Sequence, residues 1–299
     1  MKRNLGFFFA IAILLMMTAP TFAQDDGAQT LTIDDVSREY YVHVPDSYDE
    51  TTPMPLMLAL HGGGGSGREF SAFSGLSTIA DEGNFITVYP TALDGRWNFL
   101  SRENREDDVD FLTALIDEIT ATYTIDAERV YVTGYSNGGL MALRLRCSFS
   151  DRFAGVVAVG ATMTFILAEQ CLQATPVPTL IVWGTSDGAF PWEGYAQAGT
   201  DEVISTMSSS QTQTFFASLN QCSLQLDSFD DVSADTSENT VFRQRFDTCN
   251  GGAVFHLIGI AEWDNRWPNA TILLNTDAGV QNIRGAIWDF LSQHTLITE

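Results

Sequence analysis

Short apolar runs rich in Val, Ile and Tyr alternate along the chain with longer amphipathic stretches. The runs at 39–44, 55–60, 85–89, 130–134, 155–159 and 179–183 read as strands, with two later ones at 241–246 and 254–260. Stretches 69–81, 107–123, 138–147, 205–219 and 277–293 read as helices. The stretch 107–123 shows the reasoning. Val109, Leu112, Leu115, Ile116 and Ile119 recur at spacings of three and four, while Asp108, Asp110, Asp117 and Glu118 fall off that stripe. The run 56–60 is apolar without alternation, as in a strand buried on both faces. Strands alternating with helices of this length predict an α/β fold, a mostly parallel central sheet with helices on both faces.

The most polar stretch, 225–240, is rich in Asp and Ser and reads as a surface excursion. No internal repeat or low-complexity linker divides the chain, so residues 24–299 are expected to form a single domain. Residues 1–23 stand apart. Lys2 and Arg3 precede an apolar run from Leu5 to Met17, and Thr21-Phe22-Ala23 closes it, the layout of a signal peptide. The run is shorter than the roughly 20 residues a bilayer span needs. The reading is a secreted or periplasmic protein without a membrane association after cleavage.

Charge and cysteines refine this picture. The net charge is −23, which disfavours phosphate backbones and anionic lipid, so nucleic acid is not an expected partner. The four cysteines are Cys147, Cys171, Cys222 and Cys249, an even number that suits disulfides in an exported chain. Three pairings are possible and sequence alone does not choose; sequential pairing closes the shorter loops and is the expectation. No CxxC pair occurs and the histidines lie far from the cysteines, so neither a metal nor an organic cofactor is implied.

Three motifs carry chemistry. Gly134-Tyr135-Ser136-Asn137-Gly138 stands between an expected strand and an expected helix, where a G-x-S-x-G elbow presents a nucleophilic serine at a helix start. The alternative is a glycine-rich turn without chemistry. His61-Gly62-Gly63-Gly64-Gly65 ends the strand 55–60 and offers open backbone N–H groups. Gly63 and Asn137 are the expected oxyanion donors, with His61 structural within the loop. No G-K-[ST] follows, which excludes a P-loop. Trp183-Gly184-Thr185-Ser186-Asp187 follows a later strand, where the acid of a serine-acid-histidine order falls, so Asp187 is the expected acid, ahead of Asp227, Asp230 and Asp231.

The general base is the missing element. It belongs on the loop after the last strand, yet residues 259–275 hold no histidine. His43, His256 and His294 fall in a strand, a strand and a helix end, and read as packed or surface residues. Trp97, Trp192, Trp263 and Trp267 fall in loops at the expected strand ends, where Trp97, Trp192 and Trp267, with His61, are candidates to line a substrate pocket. Ordinary packing is the competing role for these rings. Asn269-Ala270-Thr271 matches a glycosylation sequon, a weak signal.

Together these residues resemble the secreted polyhydroxybutyrate depolymerases and the feruloyl or acetylxylan esterases of carbohydrate-esterase type, which are α/β-hydrolases. The matching runs include Leu60-His61-Gly62-Gly63, Val88-Tyr89-Pro90, Trp97-Asn98, Asp107-Asp108-Val109-Asp110-Phe111, Ser136-Asn137-Gly138-Gly139 and Trp267-Pro268, and extend over roughly residues 30–295. The resemblance implies Ser136 as nucleophile, Asp187 as acid, an oxyanion hole near Gly63 and Asn137, and a histidine two residues before the Trp-Pro pair. Asn265 stands at that histidine's position. Asparagine takes no proton from a serine near neutral pH, so catalysis should fall by several orders of magnitude unless another group serves. Glu262 and Asp264 are the candidate substitutes.

Two readings follow. One is a secreted serine esterase acting on a hydroxyalkanoate polyester or on plant-polysaccharide or phenolic esters, through an acyl-enzyme on Ser136. The other is a pseudo-esterase that binds a glycan or ester without cleaving it. A peptide substrate is a third possibility that the fold allows.

Overall fold

The computed structural model describes residues 27–101, 107–195 and 205–297; the expected signal peptide lies outside them. The chain opens with β1 (Gln29–Ile33), β2 (Val36–His43) and β3 (Met54–Leu60), then α1 (Gly67–Ser74), α2 (Leu76–Gly83) and β4 (Ile86–Pro90). Next come α3 (Asp108–Thr122), β5 (Ile125–Tyr135), α4 (Asn137–Ser148), β6 (Gly155–Val159), α5 (Phe165–Gln170), β7 (Thr179–Gly184) and α6 (Ser209–Leu219). The last elements are β8 (Ser228–Asp231), β9 (Val241–Phe246), β10 (Phe255–Ile260), the hairpin β11 (Leu273–Thr276) and β12 (Gly279–Asn282), and α7 (Ile283–Leu291).

Ten strands form one sheet in the order β1-β2-β4-β3-β5-β6-β7-β10-β9-β8. The six from β4 to β10 run parallel, and antiparallel pairs β1/β2 and β9/β8 close the two edges. The unbroken apolar run of β3 is resolved by the pleat. Leu56, Leu58 and Leu60 enter one core layer with Phe111 and Leu112 of α3, Leu140 of α4 and Phe216 of α6. Met57 and Ala59 enter the opposite layer with Phe70 of α1, Ala80 of α2, and Ile283, Ile287 and Leu291 of α7. Each such fully buried leucine contributes about 1.5–3 kcal/mol, which secures the register of the central strand. The sheet is thus mostly parallel and covered by helices on both faces, as the sequence pattern predicts.

The structure departs from the expected elements in places. The expected helix 69–81 is two helices, broken at Gly75, whose φ of 72° is left-handed. A β-carbon there would lie 2.5 Å from the Arg284 guanidinium, so the break also admits α7. The expected helix 277–293 begins only at Ile283, where Asn282 caps it by accepting from the Gly285 N–H; the preceding residues form the turn and second strand of the β11/β12 hairpin. Within the polar stretch 225–240 lies an edge strand, β8, paired with β9. Asp108 is buried despite lying off the apolar stripe, because it pairs with buried Arg38 and accepts from the Asn98 N–H at 2.5 Å.

Cys147–Cys171 and Cys222–Cys249 are the disulfides, the sequential pairing expected. The first joins the end of α4 to the end of α5, and the second joins the end of α6 to the loop after β9. Among the described residues no helix is long and apolar enough to cross a membrane.

Candidate active site

Ser136 occupies the turn between β5 and α4 with φ 53° and ψ −116°, a conformation that L residues avoid. Its neighbours hold it there. The Ser136 N–H donates to Val159 O at 2.8 Å, and the Leu140 N–H donates back to Ser136 O at 3.1 Å. A β-carbon on Gly134 would lie 2.1 Å from Gly138 O, and one on Gly138 would lie 2.4 Å from the carbonyls of both Leu60 and His61. Those two glycines let β3, β5 and α4 converge beneath the serine. The first-turn N–H groups of α4 have no intrahelical acceptor and give that helix end a partial positive charge.

The glycine-rich loop after β3 packs beside this turn. Gly64 and Gly65 direct their N–H groups into the loop, to Gly95 O at 2.7 Å and Gly62 O at 3.1 Å. Gly63 instead lines the cavity at Ser136, 3.5 Å from the Asn137 β-carbon as measured from its own ideal β-position. The Asn137 side chain binds the other wall, accepting from the Trp97 N–H at 2.7 Å. Gly63 and Asn137, the expected oxyanion donors, are therefore brought to the same rim as Ser136.

His61 lies beneath the loop as a strut. Its Nε2 accepts from the Ala92 N–H at 3.0 Å, so the proton sits on Nδ1 and donates to Gly62 O at 2.7 Å. Burial pushes the imidazole pKa down and keeps it neutral. His61, expected both as a strut of the loop and as a pocket residue, lies beneath the loop and is not among the residues that line the cavity.

Asp187, almost fully buried, accepts from the Ala189 and Phe190 N–H groups at 2.9 and 2.8 Å through Oδ1. Its Oδ2 accepts from Asn265 Nδ2 at 2.7 Å. The same amide donates to Gly160 O at 2.7 Å. Asn265 thus stands on the expected acid, where its carboxamide makes the contact that an imidazole N–H would make in a triad. Burial raises the Asp187 pKa, and the Asn265 hydrogen bond opposes that rise. The Tyr135 hydroxyl donates to Asn265 O at 2.8 Å and fixes the backbone of this loop.

No histidine replaces the base. His43 pairs with Asp81 and His256 with Asp247, while His294 packs edge-on against Phe290. Neither Glu262 nor Asp264 serves as a substitute in this arrangement. Both are exposed, Asp264 pairs with Arg266, and neither lines the cavity.

The cavity over Ser136 has a volume of about 410 Å³. Trp97, Phe99, Leu100, Leu140 and Phe190 form its apolar walls; Arg96, Asn98 and Asn137 supply polar groups. Of the tryptophans proposed for it, Trp97 lines it and donates Nε1–H to His61 O at 2.9 Å. Trp192 instead packs on Trp183 and Phe242, and Trp267 packs on Phe70 and donates to Ser74 O, because their loops turn these rings into the core layers. Sequence reading missed Arg96, Asn98, Phe99, Leu100, Leu140 and Phe190. The resemblance motifs Trp97-Asn98 and Asp107-Asp108 held the signal, since Asp108 anchors the Asn98 backbone that bounds the cavity.

Comparison with known proteins agrees with this architecture. Residues 94–171 match the prolyl oligopeptidase family model. "Putative esterase NocK" of Nocardia uniformis subsp. tsuyamanensis is 34% identical over 171 residues, 55% of this chain and 49% of that protein. Feruloyl esterase B of Piromyces equi is 26% identical over 277 residues, 87% of this chain and 46% of that protein. The chain spans about half the length of such curated relatives. The acetyl xylan esterase structure from Aspergillus awamori superposes with a TM-score of 0.58 at 13% identity, covering 80% of this chain and 94% of that one, a likeness of fold. The fold is that of the α/β-hydrolases. Within that class, the relatives to which it is similar are named as esterases.

Proposed function

We propose that this chain is a secreted, single-domain serine ester hydrolase with Ser136 as nucleophile, working without an imidazole base. The observation that carries the reading is Ser136, held left-handed at the start of α4, opening on a cavity it shares with Gly63 and Asn137. Ser136 Oγ attacks the ester carbonyl, and the N–H groups of Gly63 and Asn137 receive the developing oxyanion. The serine proton passes to the departing alcohol through water, because Asn265 accepts no proton. A second water then releases the acid from Ser136. Asp187 and Asn265, bonded to each other, form no proton relay on this path. Names of relatives support esters of plant phenolics or acetylated polysaccharide; a hydroxyalkanoate polyester fits the sequence resemblance. Two disulfides suit an exported protein.

The bidentate donation of Asn265 to Asp187 and Gly160 favours a second reading, a pseudo-esterase that retains ligand binding. One experiment separates them. Hydrolysis of p-nitrophenyl butyrate by the mature chain is measured beside Ser136→Ala, with mass spectrometry of the protein for an acyl adduct. Slow release that needs Ser136, with log kcat/KM rising steadily from pH 6 to 9, supports the esterase. Equal inertness of both proteins, without adduct, refutes it and leaves the binding role.

A further inference from the structure

Asp187 stands at the position expected of a catalytic acid, with Asn265 in place of the histidine that such an acid serves. Its carboxylate is engaged by the chain itself. Oδ1 accepts from the Ala189 and Phe190 N–H groups at 2.9 and 2.8 Å, and Oδ2 accepts from Asn265 Nδ2 at 2.7 Å. All of these bonds are accepted and none is donated, the pattern of an ionised carboxylate, whose hydrogen bonds are stronger than those of a neutral acceptor. The two bonds at Oδ1 close the turn after β7. That turn carries part of the cavity, because Ala189 and Phe190 both line it together with Ser136. The Phe190 peptide is tied at its other end as well, since buried Trp183 donates Nε1–H to Phe190 O at 2.8 Å. Through Asn265 the clasp extends to Gly160 O at 2.7 Å. Asp187 thus joins the wall at Phe190 to the loops that follow β6 and β10.

Resting on the esterase reading, we infer that Phe190 limits the length of ester the cavity admits and that Asp187 is the positioning residue that sets it there. Phe190 determines specificity, Asp187 acts through it, and neither takes part in bond breaking. Removing the carboxylate leaves the Ala189 and Phe190 N–H groups without their acceptor in a buried turn, an arrangement that the backbone relieves by moving. The Phe190 ring moves with it, and the cavity of about 410 Å³ opens on that side. Asparagine at 187 behaves differently. Its carbonyl still accepts from Ala189 and Phe190, while its amide faces the Asn265 amide, donor against donor, so the Asn265 link is lost and the Phe190 anchor stays.

The test uses the full mature chain carrying Ser136→Ala, so that nothing turns over. Ligand-observed NMR titrations compare ethyl butyrate with ethyl octanoate, lengthened in the acid, and hexyl butyrate, lengthened in the alcohol. Phe190→Ala should raise the affinity for at least one long ester, relative to ethyl butyrate, by roughly tenfold. Asp187→Ala should shift the same ratio in the same direction, and by less than about twofold more once Phe190→Ala is present, because the two act through one wall. Asp187→Asn should leave the ratio within about threefold of its starting value. Thermal melts check folding, and Asp187→Leu, of similar size and without acceptors, takes the place of an Asp187→Ala chain that does not fold. An unchanged ratio in Phe190→Ala or in the Asp187 variant, independent additive shifts, or no binding of any ester overturns the proposal. With Ser136 restored, hydrolysis of p-nitrophenyl butyrate and octanoate separates the readings. Asp187→Ala should alter the ratio of their KM values and leave kcat within about threefold; a fall in kcat with the ratio unchanged returns Asp187 to catalysis and overturns the proposal. Hydrolysis without the shift loses this role and keeps the esterase reading. An inert chain that shows the shift loses the esterase reading and keeps the wall.

Discussion

Replacing Asn265 by histidine is the perturbation that bears most directly on the site. Asn265 Nδ2 lies 2.7 Å from Asp187 Oδ2, so an imidazole there can donate Nδ1–H to the same oxygen. Its Nε2 then gains the basicity that the amide lacks, and buried Asp187 stabilises the imidazolium. A positioned general base contributes ~10²–10⁴ in rate, about 2.7–5.4 kcal/mol of barrier. The Gly160 carbonyl loses its donor, at a cost of about 1 kcal/mol of stability, or a fall of about 2–4 °C in Tm. The assay is p-nitrophenyl butyrate hydrolysis by the native chain, Asn265→His, and Asn265→His with Ser136→Ala. The expected outcome is a hundredfold or greater rise in kcat that needs Ser136. An inflection near neutral pH should appear, where the native chain shows a steady climb. A folded Asn265→His protein with less than a tenfold gain would refute the placing of the base position at residue 265.

Gly138→Ala should cost more than about 2 kcal/mol, since its β-carbon would press on two backbone carbonyls that cannot yield; Gly188→Ala, with nothing within 4 Å, should leave the melt unchanged. Burial lowers the His294 pKa to about 4, below the roughly 6.5 of the unfolded chain. The unfolded state therefore binds more protons between those values, and stability is lost as pH falls from about 6.5 toward 4. Thermal melts of His294→Gln should show a flatter decline over that window. Asp247, whose pKa is lowered by its bond to His256, loses its contribution only at lower pH. The net charge of −23 makes the folded chain repel itself, so Tm should rise by a few degrees, roughly, between 0.02 and 1 M NaCl; a flat or falling Tm contradicts this.

Local pattern made much of this molecule legible. The parallel strands were readable because their centres are short apolar runs buried on both faces, and β6 begins and ends where that pattern does. The elbow was readable because a strand, a glycine-flanked serine and a helix adjoin in the chain, and the place of Asp187 just after β7 followed from strand order. What escaped the sequence depends on partners far away in it. Asp108 looked solvent-facing until Arg38, 70 residues away, neutralised it inside the fold. Gly75 split a helix because α7 needed its space. Trp192 and Trp267 turned into the core through contacts with α1 and β9 that no local spacing encodes. The sequence also marked Asn265 as the missing base. Only the tertiary structure decided that its amide bridges Asp187 and Gly160, and that Arg96 lines the same cavity as the serine, because side-chain direction is set by packing between layers rather than by position along the chain.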